Sequence, residues 1–131
     1  SSVRAMMTQI RDAGAIPIFF GNHAARNPVQ DIDKIDALVV MGSDSDIDPA
    51  RYGQARHPAT RIDESPQVQA RERYEDQMLA LALSSKMPVM GVCAGMQRLN
   101  VLLGGSLHQH VPDLIGDGHH AQQEAGIAPY I

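Results

Sequence analysis

The chain has 131 residues and carries 11 Lys or Arg against 15 Asp or Glu, so its formal net charge is −4 at neutral pH. This length allows one domain, and 44% hydrophobic with 20% charged residues is ordinary globular composition, which excludes disordered, collagen-like and disulfide-rich proteins. The mildly acidic balance argues against a nucleic-acid partner, and no apolar run reaches the roughly 20 residues that a membrane-spanning helix needs.

The first part of the chain predicts one helix followed by two strands. Residues 3–12 carry apolar side chains three and four positions apart, which is the spacing of an amphipathic helix. The apolar run 16–20 predicts a buried strand with its proline at the start or at a sheet edge. Residues 36–41 are rich in β-branched side chains and lead into Gly42 and Ser43, which predicts a strand that ends at a turn.

The second part alternates helices and strands after a polar, breaker-rich segment, residues 44–65, which predicts a long surface excursion. Ser65 and Pro66 have the residue types of a helix N-cap and first helical position. The predicted elements are a helix from 65 to about 86, a strand at 89–93, a helix at 95–103 and a short strand at 106–110. This alternation predicts an α/β fold with an open, mostly parallel sheet.

Cys93 is the only cysteine, and it lies between glycines in Gly91-Val92-Cys93-Ala94-Gly95, after a predicted strand and before a predicted helix. A strand-to-helix turn that pushes its central side chain outward needs neighbours without Cβ, as in a nucleophile elbow. At a helix amino end the dipole favours a thiolate, and the Ala94 amide can stabilise an oxyanion. A buried structural cysteine is the alternative, but the flanking glycines favour a nucleophile. A lone cysteine also indicates a reducing, cytoplasmic compartment.

Residues 91–97 and 99–109 resemble the nucleophile segment of class I glutamine amidotransferase-like hydrolases. The similarity is greatest to their γ-glutamyl hydrolase branch, peptidase C26, which includes γ-glutamyl-γ-aminobutyrate hydrolases. Residues 42–53 resemble that branch's glycine-rich turn and the following D-[IV]-x-P-x-x-Y-G stretch, and residues 12–17 resemble its first helix-to-strand junction. The resemblance implies a flavodoxin-like sheet with helices on both faces.

The resemblance also implies roles for individual residues. Cys93 would attack a γ-glutamyl carbonyl and form a thioester that water resolves, and the amides of Ala94, Gly42 and Ser43 would form the oxyanion hole. Gln97 follows Cys93 by one helical turn and would either reach the substrate or lie on an exposed helix face. The expected partner is a small γ-glutamyl compound. No cofactor and no metal are expected, and homo-oligomerisation is left open.

The sequence departs from the family in several places. Ala94 stands where the branch often has arginine, and Ser43 stands where many members have a second glycine. The family begins with a strand before its first helix, and its catalytic histidine and glutamate form an H-x-E pattern well downstream of the nucleophile. No histidine of this chain is followed two residues later by glutamate. We therefore expect residues 1–131 to be a single, incomplete domain that is inactive alone.

Other histidines are interpreted as structural. His119 and His120 resemble the family's downstream His-His-Gln-Ala stretch, but the order differs, and a polar loop is favoured over a general base. His108 and His110 alternate in a predicted strand, so they would face opposite sides and take packing or hydrogen-bonding roles. The remaining two histidines, His23 and His57, have no cysteine or carboxylate at zinc-ligand spacing.

Two groups of charged residues are also interpreted as solvated. Asp44, Asp46 and Asp48 begin like a calcium loop, but Pro49 occupies the position that requires glycine, so an acidic turn is expected. The charged residues within 71–76 predict i,i+4 pairs on a surface helix face.

Three other functions remain open. The chain could belong to an amidotransferase glutaminase that passes ammonia to a synthase. It could instead be a flavodoxin-like binding module that kept the elbow and lost the base. Reversible oxidation of Cys93 would make it a redox sensor.

Overall fold

A computed structural model of the chain describes residues 2–116, which form five α-helices, three short 3₁₀ helices and two strands. The 3₁₀ helices are His23–Ala25, Ile32–Lys34 and Pro49–Tyr52. The other elements are α1 (Ser2–Asp12), α2 (Pro28–Asp31), β1 (Leu38–Val40), α3 (Pro66–Ser84), β2 (Val89–Gly91), α4 (Ala94–Leu102) and α5 (Pro112–Ile115). No helix in residues 2–116 has the length and apolar character needed to cross a membrane.

The two strands form a parallel pair, with Leu38 opposite Val89 and Val40 opposite Gly91. One backbone bond extends the pairing at its carboxyl end, where the Val92 N–H donates to the Val40 carbonyl at 2.9 Å. Helix α3 connects the strands, which makes a β-α-β unit. The predicted α/β class with a parallel sheet is therefore confirmed, and the carboxyl ends of both strands lie at the same sheet edge.

Helix α3 covers one face of the strand pair and supplies most of the core. Ser65 caps its amino end, since the Ser65 Oγ accepts a hydrogen bond from the Val68 N–H at 3.4 Å, and Pro66 is its first residue, as predicted. The apolar positions of α3 form one buried stripe against the strands. The buried cluster consists of Leu38, Val40, Tyr74, Met78, Leu79 and Ala82. The apolar spacing of this helix predicts a buried face made of Tyr74, Met78, Leu81 and Ala82. Three of these residues are buried, whereas Leu81 is half-buried and Leu79 is buried in its place.

The predicted strand at 16–20 is wrong. The segment has no ladder partner within residues 2–116, and Ile16 and Phe19 are 90% and 59% exposed. Pro17 contributes no N–H to a ladder. Phe20 packs against the core cluster, but a strand also needs a neighbouring backbone, and none pairs with these residues in the described part of the chain.

The predicted strand at 106–110 is also wrong, because the segment is held by a side chain rather than a ladder. The Gln109 Oε1 accepts hydrogen bonds from the His57 N–H and the Thr60 hydroxyl, both at 2.8 Å. The Gln109 amide nitrogen donates to the Gln54 Oε1 and to the Ala55 carbonyl. Gln109 thereby attaches this segment to residues 54–60.

Residues 44–65 are not the purely surface excursion that the sequence predicts. Four residues of the segment are buried, namely Ser45, Ile47, Pro49 and Thr60. Asp46 and Asp48 accept backbone hydrogen bonds, from the Arg61 N–H at 2.7 Å and the Ala50 N–H at 3.0 Å. The expected acidic turn therefore organises its own backbone instead of only facing solvent.

A buried carboxylate, Asp31, ties the segment before β1 to α3. Asp31 is 2% exposed and accepts hydrogen bonds from Arg26 at 2.6 and 2.9 Å, from Lys34 at 2.9 Å and from the Tyr74 hydroxyl at 2.8 Å. The Arg26 guanidinium holds the pKa of Asp31 well below its usual range. Burial, assisted by Asp31, raises the pKa of Tyr74 to about 12. At neutral pH the pair is therefore a phenol donating to a carboxylate.

Replacing Tyr74 with Phe removes this charge-assisted hydrogen bond while keeping the ring. We expect Tyr74→Phe to lower the free energy of unfolding by about 1–2 kcal/mol, measured by urea denaturation at pH 7. Tyr52→Phe is the matched control, since the half-buried Tyr52 makes no hydrogen bond through its hydroxyl within residues 2–116. It should change stability by less than about 0.5 kcal/mol. Equal effects of the two variants would contradict the role given to the Tyr74 hydroxyl.

Candidate active site

Cys93 occupies a strained turn between β2 and α4. Its backbone has φ 53° and ψ −115°, and among the non-glycine residues of 2–116 only Asn22 and Lys86 also have positive φ. Such a conformation costs about 1–3 kcal/mol and persists only where surrounding packing imposes it. The Cys93 side chain is exposed, so it is not a buried core residue. The turn has the strand-to-helix geometry of a nucleophile elbow.

The flanking glycines allow the start of α4 to pack directly on the strand ends. A Cβ on Gly95 would lie 2.7 Å from the carbonyl carbon of Val40 and closer still to its oxygen. A Cβ on Gly91 would lie 2.6 Å from the Cα and the N of Met96. Real side chains do not occupy such distances, so both positions need glycine for close approach rather than for an unusual φ.

The Gly42-Ser43 turn at the end of β1 lies directly beside Cys93. A Cβ on Gly42 would be 3.2 Å from the Cys93 Cβ and 3.6 Å from its Sγ. The Ser43 hydroxyl accepts a hydrogen bond from the Ser45 N–H at 3.1 Å, which stabilises the turn. The backbone N–H groups of Gly42, Ser43 and Ala94 donate to no acceptor within residues 2–116. Two turns with unused backbone donors therefore meet at the exposed thiol.

Gln97 lies in the first turn of α4, and its backbone N–H donates to the Cys93 carbonyl at 3.2 Å. The residue is half-buried, and its side chain makes no hydrogen bond to any other residue that the structure describes. The backbone hydrogen bond places Gln97 on the same helical turn as Cys93. A contact between Gln97 and the substrate stays a prediction.

An arginine of α4 is buried against acidic residues of α3, and the local sequence pattern did not predict this contact. Arg98 is 2% exposed, and its guanidinium contacts three carboxylates. The distances are 3.0 Å to the Asp76 Oδ1, 3.2 Å to the Glu75 Oε2 and 3.5 Å to the Glu72 Oε1. The sequence does contain an indication of this contact, since Arg98 lies among the apolar residues of a core helix. A buried arginine in such a place needs carboxylates that pair with it.

The predicted i,i+4 pairing on α3 is confirmed for Arg71 and Glu75, whose Nε and Oε1 are 2.6 Å apart. Its predicted location on a solvated face is wrong, since the two side chains are 28% and 13% exposed. The Arg71 Nη2 also donates to the carbonyls of Gly42 at 2.8 Å and Met41 at 3.4 Å. The pair therefore contacts the turn beside Cys93.

Three of the four histidines in residues 2–116, namely His23, His57 and His110, have structural contacts. His57 stacks on His110 with ring centroids 5.2 Å apart, and its Nε2 is 3.0 Å from the Asp113 Oδ2. His23 packs against the Tyr74 ring, and burial lowers its pKa. His119 and His120 lie outside the described residues. Within 2–116 no three His, Cys, Asp or Glu side chains are grouped as metal ligands.

A family model described as Peptidase C26 matches residues 1–130. The chain belongs to the Peptidase C26 family. Membership confirms the resemblance drawn from the Cys93 and Gly42 segments, which are the two turns that the fold brings together.

Relatives with curated names agree with this Peptidase C26 assignment. The chain is 50% identical over 91 residues to "Putative glutamine amidotransferase Rv2859c" of Mycobacterium tuberculosis, covering 69% of the chain and 28% of that protein. It is 30% identical over 115 residues to "Gamma-glutamyl-gamma-aminobutyrate hydrolase PuuD" of Escherichia coli, covering 83% of the chain and 42% of that protein. The chain thus spans less than half the length of these relatives.

Proposed function

We propose that this chain carries the nucleophile and oxyanion-hole half of a hydrolase site that cleaves γ-glutamyl amide bonds. The observation that carries the proposal is the exposed Cys93 thiol in a strained turn, set against the Gly42-Ser43 turn. Family membership and the name of the Escherichia coli relative support the reaction class. The proposed substrate is a small γ-glutamyl amide.

In the proposed mechanism the Cys93 thiolate attacks the γ-glutamyl carbonyl carbon, and the carbonyl oxygen takes the negative charge. The N–H groups of Ala94, Gly42 and Ser43 stabilise that oxyanion, since they have no other acceptor among the described residues. The C–N bond then breaks, and the amine leaves with a proton. Water attacks the γ-glutamyl thioester, which releases glutamate and restores the thiol.

Proton transfer in this mechanism needs a general acid–base group. The family resemblance implies a histidine supported by glutamate in an H-x-E pattern, and these 131 residues contain no such pattern. Cys93 and the two turns therefore account for attack and charge stabilisation in the proposed site, and a histidine from an H-x-E segment would account for proton transfer.

The test is covalent labelling of Cys93 with a diazoketone analogue of glutamine in the full-length protein. We expect an adduct on Cys93, located by peptide mass spectrometry, that forms at least about 100-fold faster in the folded protein than in urea. Iodoacetamide, which lacks the glutamyl group, should show much less preference for the folded state. Equal preference of both reagents, or no adduct on Cys93, would contradict the proposal.

A measurement of substrate turnover distinguishes a hydrolase from an amidotransferase glutaminase. Steady hydrolysis of γ-glutamyl amides by the protein alone supports the hydrolase. Glutamine hydrolysis that requires an added synthase partner would support an amidotransferase glutaminase instead.

A further inference from the structure

Three charged side chains connect the Gly42-Ser43 turn to the helix that carries the nucleophile. We call Arg71, Glu75 and Arg98 the arginine network. The Arg71 Nη2 donates to the Gly42 carbonyl at 2.8 Å, and the Arg71 Nε is 2.6 Å from the Glu75 Oε1. The other Glu75 oxygen, Oε2, is 3.2 Å from the Arg98 Nε. The Glu75 carboxylate on α3 thus bridges Arg71, which binds the turn, and Arg98, which lies on α4.

The position of Arg71 decides where the backbone donors of the turn point. Every peptide bond in the described residues is trans, and in a planar trans peptide the C=O of one residue and the N–H of the next point in opposite directions. When Arg71 holds the Gly42 carbonyl toward α3, the Ser43 N–H is directed away from α3. The longer contact to the Met41 carbonyl, at 3.4 Å, orients the Gly42 N–H in the same way.

Arg71 itself is held in place by the rest of the network. Glu75 is 13% exposed, and Arg98, at 2% exposed, is further fixed by Asp76 and Glu72. A guanidinium has donors in a fixed planar fork, so it can bind a carboxylate and a carbonyl at once. A lysine ammonium in the same place would offer a single point charge. An arginine is therefore suited to bind the Glu75 carboxylate and the Gly42 carbonyl at the same time.

We infer that Arg71 is a positioning residue that orients the oxyanion-hole amides of Gly42 and Ser43 toward the Cys93 thiol. The inference rests on the proposed function, because it assigns those amides to the oxyanion. The residue that orients these amides lies on α3, outside both turns. Arg71 touches neither the thiol nor the substrate carbonyl in this scheme, and acts through the turn backbone.

The test compares Arg71→Met with Arg73→Met in the full-length protein. Arg73 is an exposed arginine on the same helix and has no ion pair with another described residue. We expect Arg71→Met to lower kcat by roughly 10- to 100-fold with KM within about threefold, because the interaction is made mainly in the transition state. Arg73→Met should keep kcat within about twofold. Tyr74→Phe, which lowers stability without touching the network, should also keep kcat.

Alkylation provides a readout that general instability would not mimic. Iodoacetamide reacts with the Cys93 thiolate without forming an oxyanion, so its rate should stay within about twofold in Arg71→Met while substrate turnover falls. If Arg71→Met does not fold, Arg71→Lys decides, and it should lower kcat with unchanged KM. Unchanged kcat in the folded variant, or a parallel fall in alkylation and turnover, would overturn the inference alone. A wild-type protein without Cys93-dependent hydrolysis would overturn the proposed function and the inference with it.

Discussion

Cys93→Ala should lower kcat/KM for γ-glutamyl amide hydrolysis by at least about 10⁴-fold, because the variant has no atom that can form the thioester. The Cys93 side chain is exposed, so its removal leaves no cavity in the core. The positive φ of 53° is equally unfavourable for Ala and Cys. We therefore expect the free energy of unfolding to change by less than about 1 kcal/mol, measured by urea denaturation beside the kinetic assay.

Two controls accompany this variant. Cys93→Ser keeps the shape of the side chain but replaces the thiol with a weak nucleophile, and it should also lose most of the activity. Met96→Ala changes an exposed residue one turn away and should retain activity within a few fold. Hydrolysis by Cys93→Ala above about one hundredth of the wild-type rate would remove Cys93 from the role of nucleophile.

Gly95→Ala should lower the free energy of unfolding by about 3 kcal/mol or more, although alanine is favoured over glycine within a helix by about 1 kcal/mol. The new Cβ would lie 2.7 Å from the carbonyl carbon of Val40. That carbonyl accepts the Val92 N–H at 2.9 Å and cannot move without opening the strand pair. The clash would push α4 away from β1, and the Cys93 turn with it. Urea denaturation and the activity assay should therefore change together.

Gly14→Ala is the control for the loss of a glycine without a clash. Gly14 has φ +88°, and nothing lies within 4 Å of the position that its Cβ would take. Only the backbone conformation is unfavourable there, so Gly14→Ala should lower the free energy of unfolding by about 1–2 kcal/mol and retain activity. Wild-type stability in Gly95→Ala would show that α4 does not pack on the Val40 carbonyl as the structure has it.

Much of the fold around the candidate site follows from local sequence signals. The cap at Ser65, the apolar periodicity of α3 and the β-branched run before Gly42 each specify an element through neighbours in sequence. These signals indicate the type of each element, and the strand among them also needs its pairing partner β2 in order to form. The close approach of Gly42 to Cys93 follows as well, because parallel strands bring their carboxyl ends to one edge.

The two wrong strands share one physical cause. An apolar run such as 16–20 has the composition of a strand, but a strand exists only when a second backbone accepts and donates its hydrogen bonds. The 106–110 segment has backbone groups that could pair, yet its position is decided by the Gln109 amide, whose partners are about fifty residues away. Neither fact can be read from the local pattern.

Local sequence patterns specify the β-α-β order, the glycine-flanked cysteine and the glycine turn after β1, because side-chain size and periodicity act within short windows. The position of the Arg71–Glu75 pair under the Gly42 carbonyl, instead of on a solvated surface, results from tertiary packing. That outcome depends on Arg98, which α4 brings to α3 from more than twenty residues away. A charged helix face is buried or solvated according to what packs against it, and the packing partner is a property of the fold.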